Sequence, residues 1–193
     1  MAGTVPEDMG RQIQPIRRII INNQKTIEMK YNLAYDFTTD KVNHTITIKR
    51  EFAAERALVW DAFTKSELLE KWFAPKPWKA VTKSMDFREG GHWLYAMVSP
   101  EGEKHWGITN YVTIKDKAGY TAKDAFTDEE GTINPALPQA VWDTSFSSND
   151  DRTMVTIVIK YDDLSQLEET IKMGFKEGIG MSFENLDELF ANK

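Results

Sequence analysis

Between Ala80 and Tyr161 one kind of segment recurs: Ala80 to Phe87, His92 to Val98, Lys104 to Ile114, Tyr120 to Phe126, Val141 to Phe146 and Met154 to Tyr161 are strand-like runs rich in β-branched and aromatic residues. Turn-forming words separate them: Glu89-Gly90-Gly91, Pro100-Glu101-Gly102, Lys117-Ala118-Gly119, a longer Pro/Gly-containing loop through Pro138, and Ser148-Asn149-Asp150. Parallel strands need long crossovers, and most of these connections are too short for one. The run therefore predicts consecutive antiparallel hairpins, a meander.

The elements on either side have their own periods. Ile27, Met29, Tyr31, Leu33, Tyr35 and Phe37 stand at every second position, which predicts a strand. A turn at Thr38 to Asn43 leads to a second strand with Ile46, Ile48 and Phe52 on one face. Ala53 to Thr64 places Leu58, Val59, Ala62 and Phe63 along a helical stripe. Ser66 is then expected to cap a short helix that Pro75 and Pro77 stop. After the meander, Asp162 and Asp163 open a helix expected to run unbroken from Leu164 to Phe190. Strands, two short helices, strands and a final helix make an α+β plan. Residues 1–38 read as an N-terminal extension, loosely ordered to Gln24 apart from a short helix around Ile13 to Ile21, and residues 39–193 as the domain proper.

The final helix carries three glycines, each costing roughly 0.5 to 1 kcal/mol in a helix interior. At about 100° per residue, Leu164, Leu167, Ile171, Phe175, Gly178, Ser182, Leu186 and Leu189 share one face, with Gly174 on its flank and Gly180 opposite. Two readings of Gly174 and Gly178 stand side by side: close packing of helix on sheet, or room left for a ligand between them. Gly180 predicts a local bend.

Four words in order carry a resemblance: R-E-F-A-A-E-R-A-L-V-W-D-A-F-T from Arg50, L-L-E-K-W-F-A-P from Leu68, M-D-F-R-E-G-G-H-W from Met85, and M-G-F-K-E-G-I-G-M-S-F-E-N-L-D-E-L from Met173. Together, from about His44 onward, the chain resembles the activator of heat-shock protein 90 ATPase homologue-like family, a branch of the SRPBCC or START-like superfamily. The resemblance implies a helix-grip fold, in which a curved antiparallel sheet wraps around a long C-terminal helix and leaves a cavity between them. The family often has proline at the place of Ala54, and the segment before Asp40 lies outside its usual core.

A hairpin turning at Pro100-Glu101-Gly102 puts Trp93, Tyr95, Met97, His105, Gly107 and Tyr111 on one face, and Leu94, Ala96, Val98, Trp106, Ile108, Val112 and Ile114 on the other. The resemblance aims the first set at the cavity, with Met85, Phe87, Phe126 and Trp142. Trp60, Phe63, Trp72, Phe175, Gly178 and Ser182 complete the candidate ligand-binding set, and the competing reading of the same aromatics is plain core. The polar tips of Trp60, Trp72, Trp93, Tyr95, His105, Tyr111 and Trp142 favour a pocket, because buried N–H and O–H groups need partners. The aliphatic outer face is expected to be covered by the Ile27 to Phe37 strand, from the same chain or from a homodimer mate.

The function expected is non-catalytic binding of a small, mostly hydrophobic molecule. The family name supplies an alternative, a co-chaperone that stimulates a heat-shock ATPase, although no separate N-terminal module for that contact is read in the chain. START-like relatives supply another, a cyclase or hydrolase-type enzyme, for which His105 with Tyr95 or Tyr111 is the candidate cluster. Asp86, Arg88 and Glu89 read as surface charge beside a turn rather than acid–base machinery. No cofactor and no metal are expected: His44, His92 and His105 have no ligand spacing, and phosphate-loop and dinucleotide fingerprints are absent. A formal net charge of -6 argues against nucleic acid. The apolar run Ile19 to Ile21 is far too short for a membrane span, and with no cysteine in the sequence the expected compartment is the cytoplasm.

Overall fold

The computed structural model describes residues 33–192. The expected tail and its short helix, together with residues 27–32 of the first predicted strand, lie outside the described residues. The elements are β1 (Tyr35–Asp40), β2 (Thr45–Phe52), α1 (Arg56–Thr64), α2 (Ser66–Trp72), β3 (Lys79–Met85), β4 (His92–Val98), β5 (Lys104–Lys115), β6 (Gly119–Thr127), β7 (Gln139–Asn149), β8 (Arg152–Tyr161), α3 (Leu164–Lys172) and α4 (Phe175–Ala191). All eight strands form a single antiparallel sheet in the order β1-β2-β8-β7-β6-β5-β4-β3. β3 to β8 follow as hairpins, while α1 and α2 carry the chain from β2 to the opposite edge, where β3 begins.

The sheet curves around α4. Ile46, Ile48 and Phe52 of β2 alternate onto the concave face, where each is fully buried. They meet Ile179, Phe183 and Leu186 of α4, with the Phe52 and Phe183 rings edge-on at 5.6 Å. Burial of side chains this size contributes roughly 1.5–3 kcal/mol each, so this layer is a substantial attachment of helix to sheet. Hydrogen bonds add direction: Ser182 Oγ donates to the Phe73 carbonyl at 2.8 Å, and Asn185 Nδ2 donates to the Ala74 carbonyl at 3.0 Å.

The unbroken final helix is corrected to two. Gly174 has φ +82°, the left-handed region in which glycine is unstrained, and the chain turns there, closed by Met173 N–H to the Glu169 carbonyl and Gly174 N–H to the Ile171 carbonyl. The turn resets the helical phase. Leu164 and Ile171, expected on the inner face, are 36% and 37% exposed. Gly180 lies inside continuous helix, and its open side meets the Tyr35 hydroxyl, 3.8 Å from where a Cβ would stand. Asp163 does cap α3, accepting the Gln166 N–H at 3.0 Å. Ser66 instead begins α2 behind Lys65, and Leu58 of α1 faces outward.

Of the strand expected to cover the outer face, from this chain or a mate, only residues 33–37 are among the described residues. Tyr35 and Phe37 of β1 turn to the helix side, against Phe183 and Phe175. The β6–β7 loop lies over Leu94 and Ile108 of the outer face of β4 and β5, while Val112 there stays exposed. A Cβ at Gly131 would lie 3.7 Å from Ile108 and 3.8 Å from Leu94. Asp128 holds that loop by accepting the N–H groups of Glu130 and Thr132, at 2.9 and 2.8 Å. Ile114 changes face because the β5–β6 register shifts between Tyr111 and Thr113, which brings it opposite Tyr120 on the concave side.

Candidate functional site

The β4–β5 register fixes what looks inward. Trp93 stands opposite Thr109, Tyr95 opposite Gly107 and Met97 opposite His105, as the hairpin turn implied. Tyr95 lies so close over Gly107 that a Cβ there would come within 2.9 Å of its hydroxyl. The glycine is what lets the phenol lie along the sheet. Trp93 stacks on Tyr95 with ring centroids 4.0 Å apart, and Phe73 closes edge-on at 5.2 Å from Tyr95.

Between this wall and the start of α4 is a cavity of about 290 Å³. Tyr95, Met97, His105, Phe126, Trp142, Phe175, Gly178 and Ser182 of the candidate set line it, joined by Phe73, Tyr161, Met173 and Ile179. A smaller void of about 40 Å³ adjoins it, bordered by Phe63, Trp72, Trp93 and Tyr111, with Phe73, Asp124, Trp142 and Ile179 common to both. Three of the candidates lie elsewhere. Trp60 packs edge-on between Phe87 and Phe146 at 5.7 and 5.3 Å, and Met85 and Phe87 pack against the core without lining either space.

Several polar tips expected to await a ligand are already satisfied by protein. Trp72 Nε1 donates to the Ala62 carbonyl at 2.9 Å, and Trp93 Nε1 donates to Thr82 Oγ1 at 3.1 Å. Ser182 borders the cavity, but its hydroxyl has protein acceptors in the Phe73 carbonyl at 2.8 Å and the Gly178 carbonyl at 3.1 Å. Of the two readings of Gly178, close packing fails: nothing lies within 4 Å of the position its Cβ would take.

His105 sits at the rim. Its side chain is 52% exposed, its Nε2 is 2.9 Å from Glu103 Oε1, and the Trp78 ring stands edge-on at 5.1 Å. That placement removes the candidate base of the enzyme reading. Arg88 pairs with exposed Asp86 at 2.6 Å, and Glu89 accepts the Ile114 N–H at 2.9 Å, so this charge cluster braces a turn. Among the described residues no three His, Cys, Asp or Glu side chains group as a metal site. Among them also, no helix is long and apolar enough to cross a membrane.

Asp124 is the residue that reading the sequence missed. Tyr120, Ala122, Asp124 and Phe126 alternate on β6, so the carboxyl takes the inward parity of its aromatic neighbours. The signal was in the sequence, since Phe126 was assigned inward and Asp124 precedes it by one strand period. Asp124 pairs directly with Thr109, whose hydroxyl donates to Oδ1 at 2.5 Å. Enclosure by protein raises the carboxyl to about pH 7, with the Thr109 hydrogen bond offsetting part of that rise. Burial likewise pushes the hydroxyls of Tyr95, Tyr111, Tyr120 and Tyr161 upward, so all four stay neutral at physiological pH.

A family model described as Activator of Hsp90 ATPase homolog 1-like protein matches residues 53–191. No curated protein matches the chain. Among solved structures, protein Ms6760 from Mycobacterium smegmatis is 29% identical, with 81% of this chain covered, 96% of that one, and a TM-score of 0.75. A protein from Arthrobacter aurescens is 26% identical, with coverages of 82% and 92% and a TM-score of 0.77. Protein NE0264 from Nitrosomonas europaea is 27% identical, with coverages of 79% and 97% and a TM-score of 0.68.

Proposed function

This chain belongs to the activator of Hsp90 ATPase homolog 1-like family, and from that premise we propose that it binds, without catalysing a reaction, a small and mostly apolar molecule between the sheet and the first turns of α4. The observation that carries the reading is the vacated inner surface of that helix. Alanine at position 178 would favour the helix by roughly 0.5–1 kcal/mol, and a larger apolar side chain would add burial. Glycine there leaves open a space of about 290 Å³, near the lower end of the ~300–1,000 Å³ common for small-molecule pockets.

Native mass spectrometry of freshly purified protein tests this, together with titration of an environment-sensitive apolar fluorophore. Wild type is expected to retain an organic molecule of roughly a few hundred daltons, or once emptied to take up the fluorophore. Gly178→Leu, which projects a side chain into the space, is expected to do neither while melting cooperatively. Wild type that neither retains a molecule nor takes up the fluorophore overturns the reading. The family's name favours a second reading, a co-chaperone. Reproducible, stoichiometric acceleration of the host heat-shock ATPase, equal in wild type and Gly178→Leu, would put that reading first.

A further inference from the structure

The cavity is mostly apolar and holds one inward carboxyl among its few polar side chains, and its chemistry restricts what can fill it. Asp124 Oδ1 is occupied by the Thr109 hydroxyl. Its Oδ2 accepts no hydrogen bond from the described residues, and Asp124 is a wall residue of both the cavity and the adjoining void. No lysine or arginine lines either space. Asp124 is half-buried, and a carboxylate in such a wall with no cation beside it is costly to ionise unless water or a ligand brings a donor or positive charge to it.

We propose that Asp124 is the anchor of the binding site, and that the ligand class is an apolar, ring-sized molecule carrying one basic amine whose N–H reaches Asp124 Oδ2. This deepens the pocket reading and rests on it. An alkylammonium supplies both the missing charge and the missing donor, and the aromatic walls suit a cation's apolar body. An alcohol supplies the donor alone. A carboxylate of the same size meets like charge or competes for the single proton, and is excluded.

The groups facing Asp124 leave it in control of the pH response. Tyr95 on β4, Tyr111 on β5, Tyr120 on β6 and Tyr161 on β8 are held neutral by burial. β7 contributes Ala140 and Trp142, and the wall formed by α3, α4 and the turn between them is uncharged. His105 on β5 is the remaining titratable wall residue, exposed and bonded to Glu103. Amine affinity therefore rises as pH passes upward through about 7, where Asp124 ionises, until the amine loses its own proton.

Calorimetric titration with a matched set, naphthylmethylamine, naphthylmethanol and naphthoate, over pH 5.5 to 8.5 separates the outcomes. Wild type at pH 8 is expected to bind the amine at least about tenfold more tightly than the alcohol, with naphthoate weakest. Asp124→Asn, close to isosteric, is expected to keep alcohol binding and lose the amine preference. Thr109→Val, which removes the hydrogen bond favouring the charged form, should move the pH midpoint of the preference upward. Equal binding of amine and alcohol by wild type overturns the anchor and leaves the pocket standing, as does a preference that survives in Asp124→Asn with an unmoved midpoint in Thr109→Val. Failure of wild type to bind any of the three overturns the anchor, and failure to retain a molecule or take up the apolar fluorophore as well overturns the pocket reading too.

Discussion

At the scale of the residue, Asp124 makes its own enclosure measurable in the folded protein. A free aspartate titrates near 3.8 and this one near 7. Between those values the folded chain keeps a proton that the unfolded chain has released, so raising the pH across that window favours unfolding. The contribution of this side chain is therefore complete below about pH 4, declines until about pH 7, and is constant above. At 1.36 kcal/mol per unit the decline is bounded at roughly 4 kcal/mol. Urea unfolding of ligand-free protein at pH 5 and pH 8 should show wild type less stable at the higher pH. Asp124→Asn should flatten that difference and exceed wild type at pH 8, and a difference that survives the substitution would place its source elsewhere. His105 shows the contrary case: the residue that drew attention in the sequence by its type is spent on Glu103 at the rim.

At the scale of the element, two glycines four residues apart make opposite predictions. Gly174 holds φ +82° at the junction of α3 and α4, where an L side chain is strained, so Gly174→Ala should cost about 1 kcal/mol. Gly178 sits in ordinary helix with open space before it, so Gly178→Ala should gain roughly 0.5–1 kcal/mol. Denaturant midpoints of the two variants should fall on opposite sides of wild type. The pair also shows what could be read without coordinates. The strands could, because alternation and turn words such as Pro100-Glu101-Gly102 are local, and the β4–β5 pairing follows from that turn. The helix face could not, because apolar spacing continues past Gly174 while the backbone phase does not. Nor could the cover of Leu94 and Ile108: it depends on the β6–β7 loop folding back over strands distant in sequence, held by an Asp128 turn whose own residues are polar. The β5 register shift that moved Ile114 inward left no mark in the apolar pattern.

At the scale of the whole molecule, the sheet holds α4 by unlike means along its length. Near its start the helix borders the cavity and touches β1 through Phe175 and Phe37. Further along it is packed by Phe183 and Leu186, and then joined to β2 by the Arg50–Asp187 ion pair, whose side chains are only 9% and 15% exposed. The Arg50 guanidinium also lies 5.3 Å from the Phe52 ring centre, so the pair ties charge into the apolar seam. The net value of such a pair is modest when both partners are present, because desolvation offsets much of the attraction, but replacing Asp187 takes a charge partner from the nearly buried Arg50 and costs stability. Asp187→Asn should therefore lower the urea midpoint without changing the slope, the sign of lost stability in an unchanged fold. The cavity lies toward the opposite end of α4, so equilibrium affinity for an apolar probe should change little, while the probe's release should quicken if the helix opens as a unit from the sheet. Stopped-flow displacement with wild type and Asp187→Asn decides the point: faster release at unchanged affinity means that ligand exit uses the whole helix, and unchanged release means that exit is confined to the Gly174 turn and the rim at His105.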